Sequence, residues 1–128
     1  MTAPVMADRM TLDNAQHSVM YTLLVPCPAD SSQPGVLAAV QDKVLCRFGG
    51  VTTLAPSRGL WIAPSGAVYA DTVYPVQCVA PAADEAQRWF CQLAAEIAQQ
   101  TGCLEVFLLV QPVVALPVTA MPHSSRPA

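Results

Sequence analysis

Five cysteines and two histidines are the side chains in this sequence best equipped for nucleophilic or metal chemistry. Structural zinc takes four ligands, usually arranged as two close pairs. Cys27, Cys46, Cys78, Cys91 and Cys103 stand twelve or more positions apart, and neither His17 nor His123 stands beside one of them. The spacing therefore points to no metal site. A nucleophilic thiol needs a lowered pKa and a base. Cys46 falls near the C-terminal end of a predicted helix, where the dipole disfavours a thiolate. Cys27, between Pro26 and Pro28, is the thiol expected to be most exposed, and His17 is the sole general base within reach. The cysteine count is odd and no C-x-x-C occurs, so a disulfide framework is not expected. Four of the five fall in predicted helices or strands, where a free thiol packs as a small hydrophobe, and a reducing compartment is the natural reading.

A second constellation is Thr52, Arg58, Trp61, Tyr69 and Asp71. A hairpin between two strands would bring these residues close, with Trp61 and Tyr69 paired across it. One carboxylate without a nearby His does not make an acid–base site. Two readings remain: a structural cluster, or a partner-binding surface formed by Arg58, Trp61, Tyr69 and Asp71, since Trp, Tyr and Arg are the usual interface anchors. On the second, Trp61 faces away from the core, and Asp71 pairs with Arg58 or with a basic residue of the partner.

Gly49-Gly50 could suggest a phosphate cradle. A phosphate loop needs its glycines before a helix, where backbone amides meet the anion. These follow one, at the negative end of its dipole, and read as a helix cap. The chain has a formal net charge of −3, and its six Lys and Arg residues are scattered. No basic stripe could track a nucleic-acid backbone. The aliphatic strands lack the aromatic segment of an RNA-recognition sheet. No cofactor motif is present.

The elements that would position these residues follow from periodicity. Residues 1–17 read as a flexible arm, 18–114 as one domain and 115–128 as a flexible tail. Val19–Val25 is a strand stopped by Pro26-Cys27-Pro28. Asp30, Ser31 and Ser32 offer caps for a helix with Pro34 in its first turn, running to about Phe48. Its stripe is Val36, Val40, Val44 and Phe48, widened by Leu37 and Leu45. Val51–Leu54 and Gly59–Ala63 form a second strand, interrupted at Pro56-Ser57. Pro64-Ser65-Gly66 is a turn. Ala67–Val79 is the third strand, where Pro75 implies a bulge or a local loss of pairing. A second helix starts near Asp84, with Ala86, Phe90, Leu93, Ala94 and Ile97 inward and Gly102 closing it. Leu104–Val110 is the last strand, nearly all apolar and so expected to be covered on both faces, with Pro112 ending it or marking it as an edge.

The order β-α-β-β-α-β is that of the α+β ferredoxin-like sandwich, with antiparallel strand order 4-1-3-2 and both helices on one face. The segment Arg47-Phe48-Gly49-Gly50-Val51-Thr52-Thr53, with Gly59-x-Trp61 and Gly66-x-x-Tyr69-x-Asp71, resembles a family of small, uncharacterised bacterial and mobile-element proteins. These share an FGG-x-T turn, a G-x-W strand and an acidic residue on the next strand. The resemblance spans roughly Val19 to Val110 and implies a fold without bringing a reaction. In that family a Gln often precedes the last strand; here Thr101-Gly102-Cys103 stands there, so nothing attached to that Gln carries over.

Only 12% of residues are charged against 53% hydrophobic, where typical domains carry about 25% charged residues. Either much surface meets another subunit or partner, or the composition reflects an Ala- and Pro-rich coding background. The N-terminus has no apolar run of a signal peptide, and no stretch reaches membrane-span length, so the cytoplasm is the expected location, or a host cytoplasm if the protein is phage-encoded. The leading functional expectation is a non-enzymatic interaction module, acting through its own homodimer or a protein target. Phage or plasmid proteins that inhibit a host complex fit that description. The alternative is a small dimeric α+β barrel enzyme with a hydrophobic substrate, whose pocket would need Tyr21, Tyr69, Asp71 or Glu105 on the inward sheet face.

Overall fold

The computed structural model describes residues 15–27 and 35–120. In chain order the elements are β1 (Gln16–Pro26), α1 (Val36–Phe48), β2 (Thr52–Thr53), β3 (Ser57–Ile62), β4 (Val68–Pro81), α2 (Asp84–Thr101) and β5 (Leu108–Ala115). The strands form one antiparallel sheet: β5 pairs with β1, β1 with β4, and both β2 and β3 with the far side of β4. The fold is α+β, with two helices and a five-stranded sheet.

Alternation divides the sheet cleanly. Tyr21 pairs with Cys78 and Leu23 with Val76, and all four lie in one buried cluster with Val40 and Val44 of α1 and Phe90, Leu93 and Ile97 of α2. Both helices therefore cover one face. Phe90 is the hub, stacked on Tyr21 at 4.4 Å and on Phe48 at 5.0 Å, with Trp89 edge-on to Phe48. Gly49 and Gly102 end the helices at φ 85° and 73°, left-handed conformations that cost a side chain energy.

The hydrogen bonds explain how a sheet tolerates its prolines. The Leu24 N–H donates to the Phe107 carbonyl, and the Cys27 N–H to the Thr72 carbonyl. Both bonds keep the ladder register, so even-numbered β1 residues bond β5 and odd-numbered ones bond β4. On β4 the odd-numbered residues face β2 and β3, since Leu54 donates to the Pro75 carbonyl. Pro75 thus accepts from Leu54 but cannot return the bond, and pairing with β2 stops there. Pro81 points past the start of β2, Pro26 past the start of β5, and Pro112 toward the free edge of β5. Pro26, Pro81 and Pro112 sit where no paired strand offers a carbonyl, and only Pro75 withholds a donor from a paired residue, Leu54.

Several expectations are corrected. β1 begins at Gln16, before Val19 and before residue 18. The expected second strand is two, and the register slips by one residue between them. That slip is a bulge opposite Tyr74 and Pro75, so Pro75 breaks its neighbour and leaves β4 continuous. Leu45 does not widen the buried stripe of α1; it is 47% exposed. The last strand starts at Leu108 and runs through Pro112, leaving Leu104 95% exposed. β5 is also not covered on both faces, because it is an edge strand reached by α2 only at its inner side; Leu109 and Val110 are half exposed. The cap candidates Asp30, Ser31 and Ser32, with Pro34, lie outside the described residues, as do residues 1–14, 121–128 and His123. Gly35 occupies the cap of α1, with no side-chain bond.

Candidate interaction surface

β1 ends at Pro26, opposite Val73, while β4 and β3 continue as a two-stranded ribbon to the turn at Pro64-Ser65-Gly66. That ribbon carries the residues singled out by the sequence. Trp61 is in register with Tyr69, and Gly59 with Asp71. Alternation places these on the same face as Val73, away from the helices. Arg58 pairs in register with Thr72 and projects to the opposite face. The ladder therefore unites Trp61, Tyr69 and Asp71 and separates Arg58 from them, so the expected Asp71–Arg58 pair does not form. Thr52 lies on β2, against Gln77, away from the ribbon.

Trp61 is half-buried. Its ring stacks on Phe107 with centroids 5.1 Å apart and planes 11° apart. It also lies over Gly59: a Cβ there would come 3.1 Å from the indole nitrogen, inside ordinary contact distance. The G-x-W spacing thus has a local reason: residues two apart share a strand face, and a side chain at Gly59 would need the ring to give by a few tenths of an ångström. Phe107 carries no distinguishing signal in the sequence, because it sits inside a uniformly apolar run.

Beyond Arg58, the ribbon's other face is apolar and uncovered. Leu60, Ile62 and Val68 are 63%, 77% and 64% exposed. No charged residue occurs between Arg58 and Asp71, nor between Glu105 and His123. The second stretch includes β5. Behind it, the sheet face opposite the helices carries Met20, Val79 and Leu109 around a polar centre, where Gln77 donates to Thr22. Exposed apolar surface that is continuous and uncharged marks contact with another surface.

Other chemistry is poorly placed. Among the described residues no group of His, Cys, Asp or Glu could hold a metal ion, and no helix is long and apolar enough to cross a membrane. One open groove of about 510 Å³ lies between the helices, lined by Lys43, Cys46, Arg47, Trp89 and Glu96. Another, of about 380 Å³, runs over Gly49-Gly50, Met20, Thr52 and Gln77. Neither is lined by Tyr21, Tyr69, Asp71 or Glu105. Tyr21 packs in the core, and Glu105 is exposed ahead of β5.

All five cysteines are free; Cys27, Cys46 and Cys91 are exposed and Cys78 is buried. Burial holds the Cys78 thiol above its ordinary value. The Tyr21 phenol is raised too, by burial first and then by Cys91, Asp84 and Cys78. Both groups are neutral when protonated. Their folded pKa values exceed the unfolded ones, so the stability they confer is complete at neutral pH and is lost as pH rises through the folded values. The expected outcome is a urea midpoint that is flat near neutrality and falls above about pH 9–10. In native protein a maleimide should label Cys27, Cys46 and Cys91 and spare Cys78. A midpoint constant into strong alkali, or rapid native labelling of Cys78, would contradict this placement.

Comparison with family models, curated proteins and solved structures gives no match for this chain.

Proposed function

We propose that this protein is a non-enzymatic protein-interaction module in the ferredoxin-like arrangement, working through its own homodimer or through a protein target in the cytoplasm. The single observation that carries the reading is the pair of uncharged, exposed apolar surfaces, one on the β3–β4 ribbon and one along β5. The strand pairings support the ferredoxin-like order 4-1-3-2, with β2 and β3 together filling the place of the second strand. The target-binding form of the reading is favoured by the ribbon, which extends beyond β1 and presents Leu60, Ile62 and Val68. On it, Arg58 shares the contact face with Leu60 and Ile62, while Trp61, Tyr69 and Asp71 support the ribbon from behind.

The test compares the wild-type chain with a Leu60→Lys/Ile62→Lys variant. Both side chains are more than half exposed, so the folded state should keep its melting temperature. The reading expects either that the wild type self-associates or that the variant loses a specific partner captured by the tagged wild type. A purified wild type that is monomeric, with identical capture by both chains, would contradict it.

A further inference from the structure

We infer that the free edge of β5 pairs with the same edge of a second copy, antiparallel across a two-fold axis at Val110. This rests on the interaction-module reading and assigns its partner. Odd-numbered residues of β5 bond β1, so Leu108, Val110, Pro112 and Val114 direct their backbone groups outward. Edges are commonly blunted by charged side chains. Here there is none from Val106 to Pro122, and within β5 Pro112 is the one interruption.

Centring on Val110 makes the edge self-complementary. Each Val110 N–H donates to the partner's Val110 carbonyl. Each Leu108 N–H donates to the partner's Pro112 carbonyl, a position where proline still accepts. Only the bonds that Pro112 would have donated are missing. A charged partner strand would set unpaired charges against an edge with none to answer them, whereas a second copy brings none.

The surface is also of the right order. Phe107, Leu109, Val110, Val114, Leu116 and Val118 are between 41% and 85% exposed. At ordinary side-chain areas they leave on the order of 300–400 Å² of apolar surface per copy, against the roughly 800 Å² that each partner gives to a standard interface, backbone and polar groups included.

The experiment is a proline scan of β5 read by sedimentation and circular dichroism. Val110→Pro removes a donor with no intramolecular acceptor, so the fold should survive while the dimer Kd rises about tenfold or more. Leu109→Pro removes a bond to β1 and should unfold the sheet. As a second readout, Val110→Cys should be joined to itself by a short bis-maleimide, with the 110–110 linkage found by peptide mapping. That linkage decides the matter if Val110→Pro fails to fold. A wild-type dimer that survives Val110→Pro with no 110–110 linkage overturns the edge and leaves the interaction reading standing. A wild type that is monomeric throughout overturns the edge together with the homodimer.

Discussion

Phe90→Ala is expected to lower the unfolding free energy by about 3–5 kcal/mol, the largest effect of any single truncation considered. The ring is 1% exposed and touches every layer of the core. It stacks on Tyr21 of β1, on Phe48 of α1 and edge-on to its neighbour Trp89. Removing it leaves a cavity between a sheet and two helices, which cannot collapse without shifting one of them. Domains of this size have about 5–15 kcal/mol in total, so the variant should be close to unfolding at ambient temperature. Phe90→Leu keeps most of the volume and should lose much less. Urea unfolding of both variants checks this. A loss below about 1 kcal/mol for alanine would show that the cluster is not closed around Phe90.

Trp61→Ala is expected to lower stability by about 1–3 kcal/mol, less than a core truncation because the ring is half-buried. The stack on Phe107 ties the end of the ribbon to the start of β5. Losing it should free both ends, seen as faster amide exchange in Ser57–Ile62 and around Phe107, with the helices unchanged. Partner binding should weaken as well, because the ribbon presents Leu60 and Ile62. Binding and melting measured on the same variant separate the two roles. A sharp fall in melting temperature with full binding in the folded fraction would make Trp61 a framework residue only. Unchanged melting with lost binding would make it a direct anchor.

Much of the architecture is legible in the sequence because its signals are local. The five inward residues of α2 follow from 3.6-residue spacing, and they are the buried ones. Gly49 and Gly102 announce helix ends through their position after an apolar stripe. The start of β5 is not legible, because Leu104 to Val110 is uniformly apolar and the strand's register is set by pairing Leu23 with Leu108. The break of strand 2 at Pro56-Ser57 is legible, but the one-residue slip between β2 and β3 is not, since it is set by their register on β4. In the candidate surface, the Trp61–Tyr69 pair follows from hairpin spacing. The separation of Arg58 from Asp71 requires the register, since one residue of slip exchanges the faces. The stack of Trp61 on Phe107 joins residues far apart in sequence, and no local pattern encodes it.

The most direct measurement of the central claim is the absolute mass of the purified chain by multi-angle light scattering, from micromolar to millimolar concentration. An interaction module built on these uncharged apolar surfaces should show a mass rising from the 13.5 kDa of one chain toward twice that value. A mass of one chain at every concentration would contradict self-association and leave only the target-binding form.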